Sequence, residues 1–438
     1  LVDVQSPNTV VDPSQVNTPQ AAAQLRTSAQ LTMMMPVGFF QLHNIIDLSG
    51  FITDELAETA NSSGATGDER NMFATASSSL SGAVTYDYLQ AARVQAQQAL
   101  QALQLYAPNT PSVPVAWQGE MYAQQGYAIV WLAELFCSGI PLSSVPLVGA
   151  NHPTAGFTTT ELFQHAIALF DSAIVAGADS ARFVNLARVG KARALLALGQ
   201  FAAADTVVQA VPTEFLYSLQ SATTGDMGTN YFPFEMPNVN ARVQDHEGGN
   251  GLTWSTDPRT AVIQDTASTG TMFRSAKYNV TPDGAFDFGY ATYGIPFRMA
   301  DGLEARLIQA EVALAAGRGE WLTILNTLRS TCVGGATCAP VPGLTSTAFP
   351  PLTDPGTPDT RLDLLMRERA MWLYLTGHRE GDLRRLAHIY NRNPSTLWPT
   401  GTIVAPAFPP AYSAPLASNG THYGPDVVYA PDPNEKQN

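Results

Sequence analysis

The sequence predicts a mainly α protein: a tetratricopeptide-like helical repeat scaffold carrying an irregular insertion of loops and short strands. Three observations point there. Apolar residues recur at three- and four-residue spacing through a series of segments. Some of these segments pair across a glycine turn, as the two helices of a repeat unit do. Between two such pairs lies a long stretch without that period.

Taken in order, helices are expected over Gln20–Met35, Tyr86–Tyr106, Ala116–Cys137 and Thr160–Ala176. In Tyr86–Tyr106 the stripe is Leu89, Ala92, Ala96, Ala99, Leu100 and Leu103, and Pro108, Pro111 and Pro114 end it. Gly139 and Pro141 stop the next, and the Thr158-Thr159-Thr160 run caps the fourth. Ala181–Leu198 and Phe201–Val211 then form the first repeat-like pair, with Gly199 making the turn and small residues where the helices cross. Leu303–Ala316, Gly317-Arg318-Gly319 and Glu320–Arg329 have the same grammar. An unrelated helical bundle is the alternative. Trp117, Trp131 and Trp321 fall on these helices and read as core.

The chain reads as one domain over 1–438. Residues 1–211 and 298–392 are the helical scaffold, 212–297 the insertion, and 393–438 an extended C-terminal tail rich in Pro, Gly, Ser and Thr. The insertion is rich in aromatics, and loops on a rigid frame are where binding commonly resides.

Composition removes several functions. Of 438 residues 45% are hydrophobic, enough for a large core. The net charge of −14 and the lack of a basic stripe argue against nucleic acid. The longest mainly apolar run, Tyr127 to Phe136, is about half of the roughly 20 residues a helical membrane span needs. No nucleophile elbow, P-loop, H-E-x-x-H or G-x-G-x-x-G is present, so neither a cofactor nor a catalytic constellation is read. An all-helical glycosidase would need two carboxylates facing one cleft, which spacing does not reveal. Asp245 to Asn250 reads as a solvated turn, without the alternating oxygen ligands of a calcium loop. Cys332 and Cys338 frame five residues with two glycines, a spacing that fits a disulfide and an oxidising compartment. Two free thiols in a reducing cytosol, or half a metal site, are the alternatives. Cys137 reads as a small buried hydrophobe.

The most specific segment is Leu364 to Leu386. It contains Arg367-Glu368-Arg369, an aliphatic stretch, Gly377-His378-Arg379 and Asp382-Leu383-Arg384-Arg385. This order resembles the late signature of the SusD/RagB family: RER, an aliphatic helix, then G-x-R-x-x-DL-x-R. Trp372 and Thr376 stand where glutamates are common in that family, and Glu380 and Leu386 where tryptophans are. Shorter likenesses run along the chain: Gly139-Ile140-Pro141, Asp257-Pro258-Arg259, Lys277-Tyr278, Arg306 to Glu311, the opening Leu1 to Val10 and the ending Pro431 to Asn438. Within the signature, Arg367, Glu368, Arg369, Arg379, Asp382 and Arg385 read as structural. Asp382 and Arg385 are three apart on one helix face, and Arg379 lies three before Asp382.

The resemblance implies a non-catalytic, starch-binding-protein-like lipoprotein on the outer face of the outer membrane. Its signal peptide and lipidated cysteine would precede Leu1, and acyl chains would anchor it without a spanning helix. It would capture oligosaccharides, or peptides, and deliver them to a SusC-like TonB-dependent transporter. The family's site lies where early loops meet the insertion. That suggests Asp54, Glu55, Arg70 and Asn71 from the loop Asp54–Ser81, and Tyr231, Phe232, Trp254 and Tyr290 from the insertion. The aromatics would stack on sugar faces and the polar groups bond hydroxyls. Core packing is the competing reading for each aromatic. The rival function is a peptide-binding or self-assembling surface scaffold, in which homo-oligomers form.

Overall fold

The structure is a computed structural model. It describes residues 18–38, 44–53, 55–58, 79–106, 110–136, 138–219, 241–243, 252–260, 262–267, 270–275, 297–332, 349–398, 401–402 and 422–423. Among these the fold is mainly helical. The helices are α1 (Pro19–Gly38), α2 (Ile45–Ile52), α3 (Ser79–Tyr106), α4 (Ala116–Leu135), α5 (Thr159–Ala176), α6 (Ala181–Ala197) and α7 (Phe201–Val208). After the insertion come α8 (Gly302–Ala315), α9 (Glu320–Thr331), α10 (Pro358–Trp372) and α11 (Arg379–His388).

Consecutive helices pack on one another: α3 on α4, α4 on α5, α5 on α6 and α6 on α7. The series resumes as α7 on α8 and α8 on α9. Thr158 is the N-cap of α5. Its hydroxyl accepts from the Glu161 backbone N–H while the Glu161 carboxylate accepts from the Thr158 N–H, a reciprocal box that satisfies two otherwise orphaned donors. Gly199 turns the chain between α6 and α7 with φ +69°. Several expected boundaries move: α1 runs on to Gly38 and α9 to Thr331. α3 begins at Ser79, seven residues before Tyr86, through a small-residue stretch with no apolar repeat to announce it. The helix expected to reach Cys137 ends at Leu135, where Phe136 turns extended. α7 stops at Val208.

The packing shows why small residues mark the helix crossings. Phe170 of α5 lies under Gly126 of α4 and Gly190 of α6. A Cβ on Gly190 would come within 2.4 Å of the Phe170 ring and 2.8 Å of Tyr127. Tyr127 meets Phe170 edge to face at 5.2 Å, the arrangement ring quadrupoles favour. Between α1 and α3 the seam is alanine: Ala22, Ala29, Ala96, Ala99 and Ala102 are all buried. Trp131 belongs to the main core and Trp321 to a second core, formed around α8, α9 and α10 with Trp372 and Trp398. Trp117 is half-buried beneath the guanidinium of Arg26 at 4.4 Å.

The strands are short and pair two by two. β1 is Leu56–Glu58, β2 Ile140–Pro141, β3 Gly156–Phe157, β4 Leu216–Leu219, β5 Ala241–Val243, β6 Val262–Ala267, β7 Gly270–Ser275, β8 Phe297–Asp301, β9 Gly401–Thr402 and β10 His422–Tyr423. β4 leaves the scaffold after α7 and β8 returns just before α8. They pair antiparallel, Leu216 opposite Asp301 and Leu219 opposite Phe297, so the chain between them hangs from a two-stranded neck. β6 and β7 form a hairpin within it.

Gly190→Ala is expected to destabilise the fold by ~1–3 kcal/mol in denaturant unfolding, as overpacking does. Phe170→Leu introduced alongside it should recover part of that loss. An undiminished loss in the double variant would show that the Phe170 contact does not govern this crossing.

Candidate functional site

The residues singled out by sequence lie far apart in the chain and converge in the structure. Arg385, on α11, donates to both oxygens of Glu311 on α8 at 2.7 and 2.9 Å, and to Asp382 at 2.8 Å. Arg369, on α10, donates to both oxygens of Asp382 at 3.1 and 2.9 Å. All four groups are buried. Two guanidinium and two carboxylate groups thus form a neutral quartet that fastens α8, α10 and α11 together. Burial alone would raise the Asp382 carboxyl. Arg369 and Arg385 outweigh it and hold that carboxyl well below the usual carboxylate range.

A second neutral quartet lies against α10. Glu368 accepts from Arg259 at 2.6 and 3.1 Å and from Arg329 at 2.8 Å. Arg259 also donates to Asp257 at 2.8 and 2.7 Å. Its guanidinium lies 5.2 Å from the Phe349 ring and 5.0 Å from the Trp372 ring. The Asp257-Pro258-Arg259 turn of the insertion is thereby docked on the Arg367-Glu368-Arg369 helix. Arg367 itself is exposed. It is one helical step out of phase with Leu365, Met366, Glu368 and Arg369, which face inward.

Between α10 and α11 runs a tight turn. Leu375 takes φ +53° and Gly377 φ +72°. The left-handed region costs a non-glycine residue ~1–2 kcal/mol, and Leu375 is held there by its surroundings. Its N–H donates to Glu55 Oε1 at 3.1 Å, and the Tyr374 hydroxyl donates to the Glu55 carbonyl at 3.3 Å. Arg193 of α6 donates to the Gly377 carbonyl at 3.1 Å and to Glu134 at 2.8 and 2.5 Å. The Arg193 Nη1 also lies 2.7 Å from His378 Nε2.

Of the eight expected ligand residues, Asp54, Arg70, Asn71, Tyr231, Phe232 and Tyr290 lie outside the described residues. Glu55 and Trp254 are described, and both are buried. Trp254 was expected to offer a ring face to a sugar. Instead its ring stacks on Tyr374 at 4.8 Å, with the Arg379 guanidinium 5.7 Å from its centre. Full burial leaves it no face for a ligand, so here it is a packing residue. Glu55 likewise gives one carboxylate oxygen and its carbonyl to the Leu373–Gly377 turn. Arg379 therefore serves Trp254, where the three-residue spacing had suggested Asp382. The start of the early loop does meet the insertion. β1, beside Glu55, pairs antiparallel with β5 of the insertion, Leu56 opposite Val243 and Glu58 opposite Ala241. Cys332 is disulfide-bonded; Cys338, its expected partner, lies outside the described residues, as do Cys137, Lys277, Tyr278 and Asp245 to Asn250.

Sequence reading missed Glu380, the group that stands where the family commonly has tryptophan. It is fully buried and accepts the Trp398 indole N–H at 2.8 Å. Burial pushes its carboxyl up to about 7, against the opposing effects of Trp398, Arg384 and Arg379. Among the described residues no group of three or more His, Cys, Asp or Glu could hold a metal ion, and no helix is long and apolar enough to cross a membrane.

No family model and no curated protein matches the sequence. The fold, however, is that of solved SusD-superfamily structures. A SusD-like carbohydrate-binding protein from Bacteroides vulgatus is 12% identical, with 83% of this chain and 82% of that one covered and a TM-score of 0.60. A SusD superfamily protein from Bacteroides thetaiotaomicron is 13% identical over 95% and 97%, with a TM-score of 0.61. Surface glycan-binding protein A from Bacteroides uniformis is 14% identical over 87% and 91%, with a TM-score of 0.59.

Two predictions follow from the buried charges. Asp382→Ala leaves Arg369 and Arg385 with Glu311 as their one shared carboxylate, one buried positive charge unmatched, and is expected to cost ~3–5 kcal/mol, the usual penalty for breaking a buried pair. Urea unfolding at pH 7 measures it, and a loss under 1 kcal/mol would contradict the quartet. The pH dependence should have opposite signs at the two carboxyls. Asp382 is depressed in the folded state, so its contribution is present above the unfolded carboxylate range and lost as pH falls. Glu380 is raised, so its contribution is full below about 4.5 and lost as pH climbs through about 7. Glu380→Gln should flatten the decline between pH 5 and 8 and gain ~1–2 kcal/mol at pH 8 relative to the parent protein.

Proposed function

We propose that this protein is a non-catalytic cell-surface binding protein that captures oligosaccharides and passes them to a TonB-dependent, SusC-like outer-membrane transporter. A lipid anchor N-terminal to Leu1 would hold it at the extracellular face of the outer membrane. The observation that carries the reading is the fold, shared over 83% and 87% of the chain with proteins described as carbohydrate-binding or glycan-binding. The local geometry supports it. β1 and β5 join the base of the early loop to the insertion, and the Glu55–Tyr374–Trp254 cluster holds both on the scaffold. Residues of 54–81 and 212–297 would then supply the ligand contacts, with Arg70, Asn71, Tyr231, Phe232 and Tyr290 as the first to test. The paired helices fit a tetratricopeptide-like scaffold whose role is to hold that surface rigid.

The buried carboxylates support a binding role over catalysis. Glu311, Glu368 and Asp382 are each engaged by two arginines. The purified protein should therefore bind neutral oligosaccharides in calorimetry without releasing reducing ends. Tagged protein recovered from a mild-detergent outer-membrane extract should bring down a large β-barrel in near-equal amount. Reducing-sugar release would make it a glycosidase. Recovery only with copies of itself, and no sugar binding, would favour the self-assembling scaffold.

A further inference from the structure

At the C-terminal end of α11 the helices leave a cleft of about 900 Å³. It is bordered by the last turn of α4, the first turns of α5, the α6–α7 turn, and α11 with the chain that follows it. The volume lies near the top of the ~300–1,000 Å³ range of small-molecule sites.

The charges that line the cleft are already committed. Arg384 donates to the carbonyls of Ala133, Glu134 and Phe136 at 2.7, 3.0 and 3.3 Å, capping the C-terminus of α4 where a cation is favoured. Arg385 holds Glu311 and Asp382, Glu134 holds Arg193, and Arg392 donates to Asp363 at 3.0 Å. An anionic ligand would have to displace one of these pairs. The rim is different. Gln164, Gln200 and Asn391 are exposed, and their side chains make no hydrogen bond among the described residues. Each amide offers two donors and an acceptor. The apolar sides of Phe163, Leu198 and Ile389 also line the cleft. Free neutral amides beside an apolar strip complement a molecule with a CH-rich face and a girdle of hydroxyls.

We infer that this cleft is a second binding site, for a short neutral oligosaccharide, separate from the surface proposed at 54–81 and 212–297. The ligand class rests on the carbohydrate reading above; the location rests on the cleft itself. Neutral α-1,4-glucan, β-1,3-glucan, β-1,4-xylan and β-1,4-mannan hexasaccharides carrying a photoreactive diazirine test it, with the labelled peptides mapped by mass spectrometry. Labelling is expected on peptides spanning 159–164 and 387–393. Gln164→Ala combined with Gln200→Ala should lower it about thirtyfold, as expected for losing two hydrogen bonds of ~1 kcal/mol each. Labelling elsewhere should not change, nor should the melting temperature, because both side chains are exposed. Labelling confined to 54–81 and 212–297, or cleft labelling indifferent to the double variant, overturns the second site and leaves the carbohydrate reading intact. No labelling by any of the four sugars overturns both.

Discussion

A buried guanidinium must be neutralised and hydrogen-bonded, and the organisation of this protein follows from meeting that demand several times in one place. Arg369, Arg385, Arg259 and Arg193 are all buried, and each finds carboxylates on a different element. Leaving one charge of a buried pair unmatched costs several kcal/mol. The partners therefore fix which helices can lie side by side. α8, α10 and α11 are joined by one quartet, the insertion is fastened to α10 by the other, and Arg193 ties α6 to α4 and to the turn before α11. Arginine suits this task because its planar fork meets a carboxylate through two parallel bonds. The composition agrees: Lys191, Lys277 and Lys436 are the lysines among 23 basic residues.

The apolar packing and the ionic lattice divide the work. Helices α3 to α7 cross closely over small residues, and their order in space is their order in sequence. That part needs little long-range information. The last third of the chain has to be placed against elements made much earlier. There the ion pairs, together with the Trp254–Tyr374 stack and the Glu55 contacts, supply directional bonds that apolar contacts lack. The turn from Leu373 to Gly377 is where both systems meet.

Much of this was legible in the sequence, for identifiable reasons. Long amphipathic segments announced their helices through period alone, and Thr158 and Gly199 announced two of the ends. Eight-residue α2 was not read, because two turns are too short to display a repeat. The charged residues of Leu364 to Leu386 were recognisable as a structural set. Their partners were not, since Glu311 lies 74 residues from Arg385 and Arg259 lies 109 from Glu368. The exposure of Arg367 was in principle readable from its phase against Leu365 and Met366. Trp254 shows the limit of composition: an aromatic beside an arginine looks the same in sequence whether it awaits a sugar or packs against a tyrosine.

The Glu55–Leu375 hydrogen bond joins residues 320 apart. A contact of that span cannot form until nearly the whole chain is available, and long-range closure slows folding. The early helices can gather as they are synthesised, but the base of 54–81 stays without its seat until Leu375 arrives. The clasp that completes the finished protein is thus also a checkpoint of completeness: a chain truncated at the end of α10 would keep most of its helices and lack the Tyr374 and Leu375 contacts that seat its early binding segment.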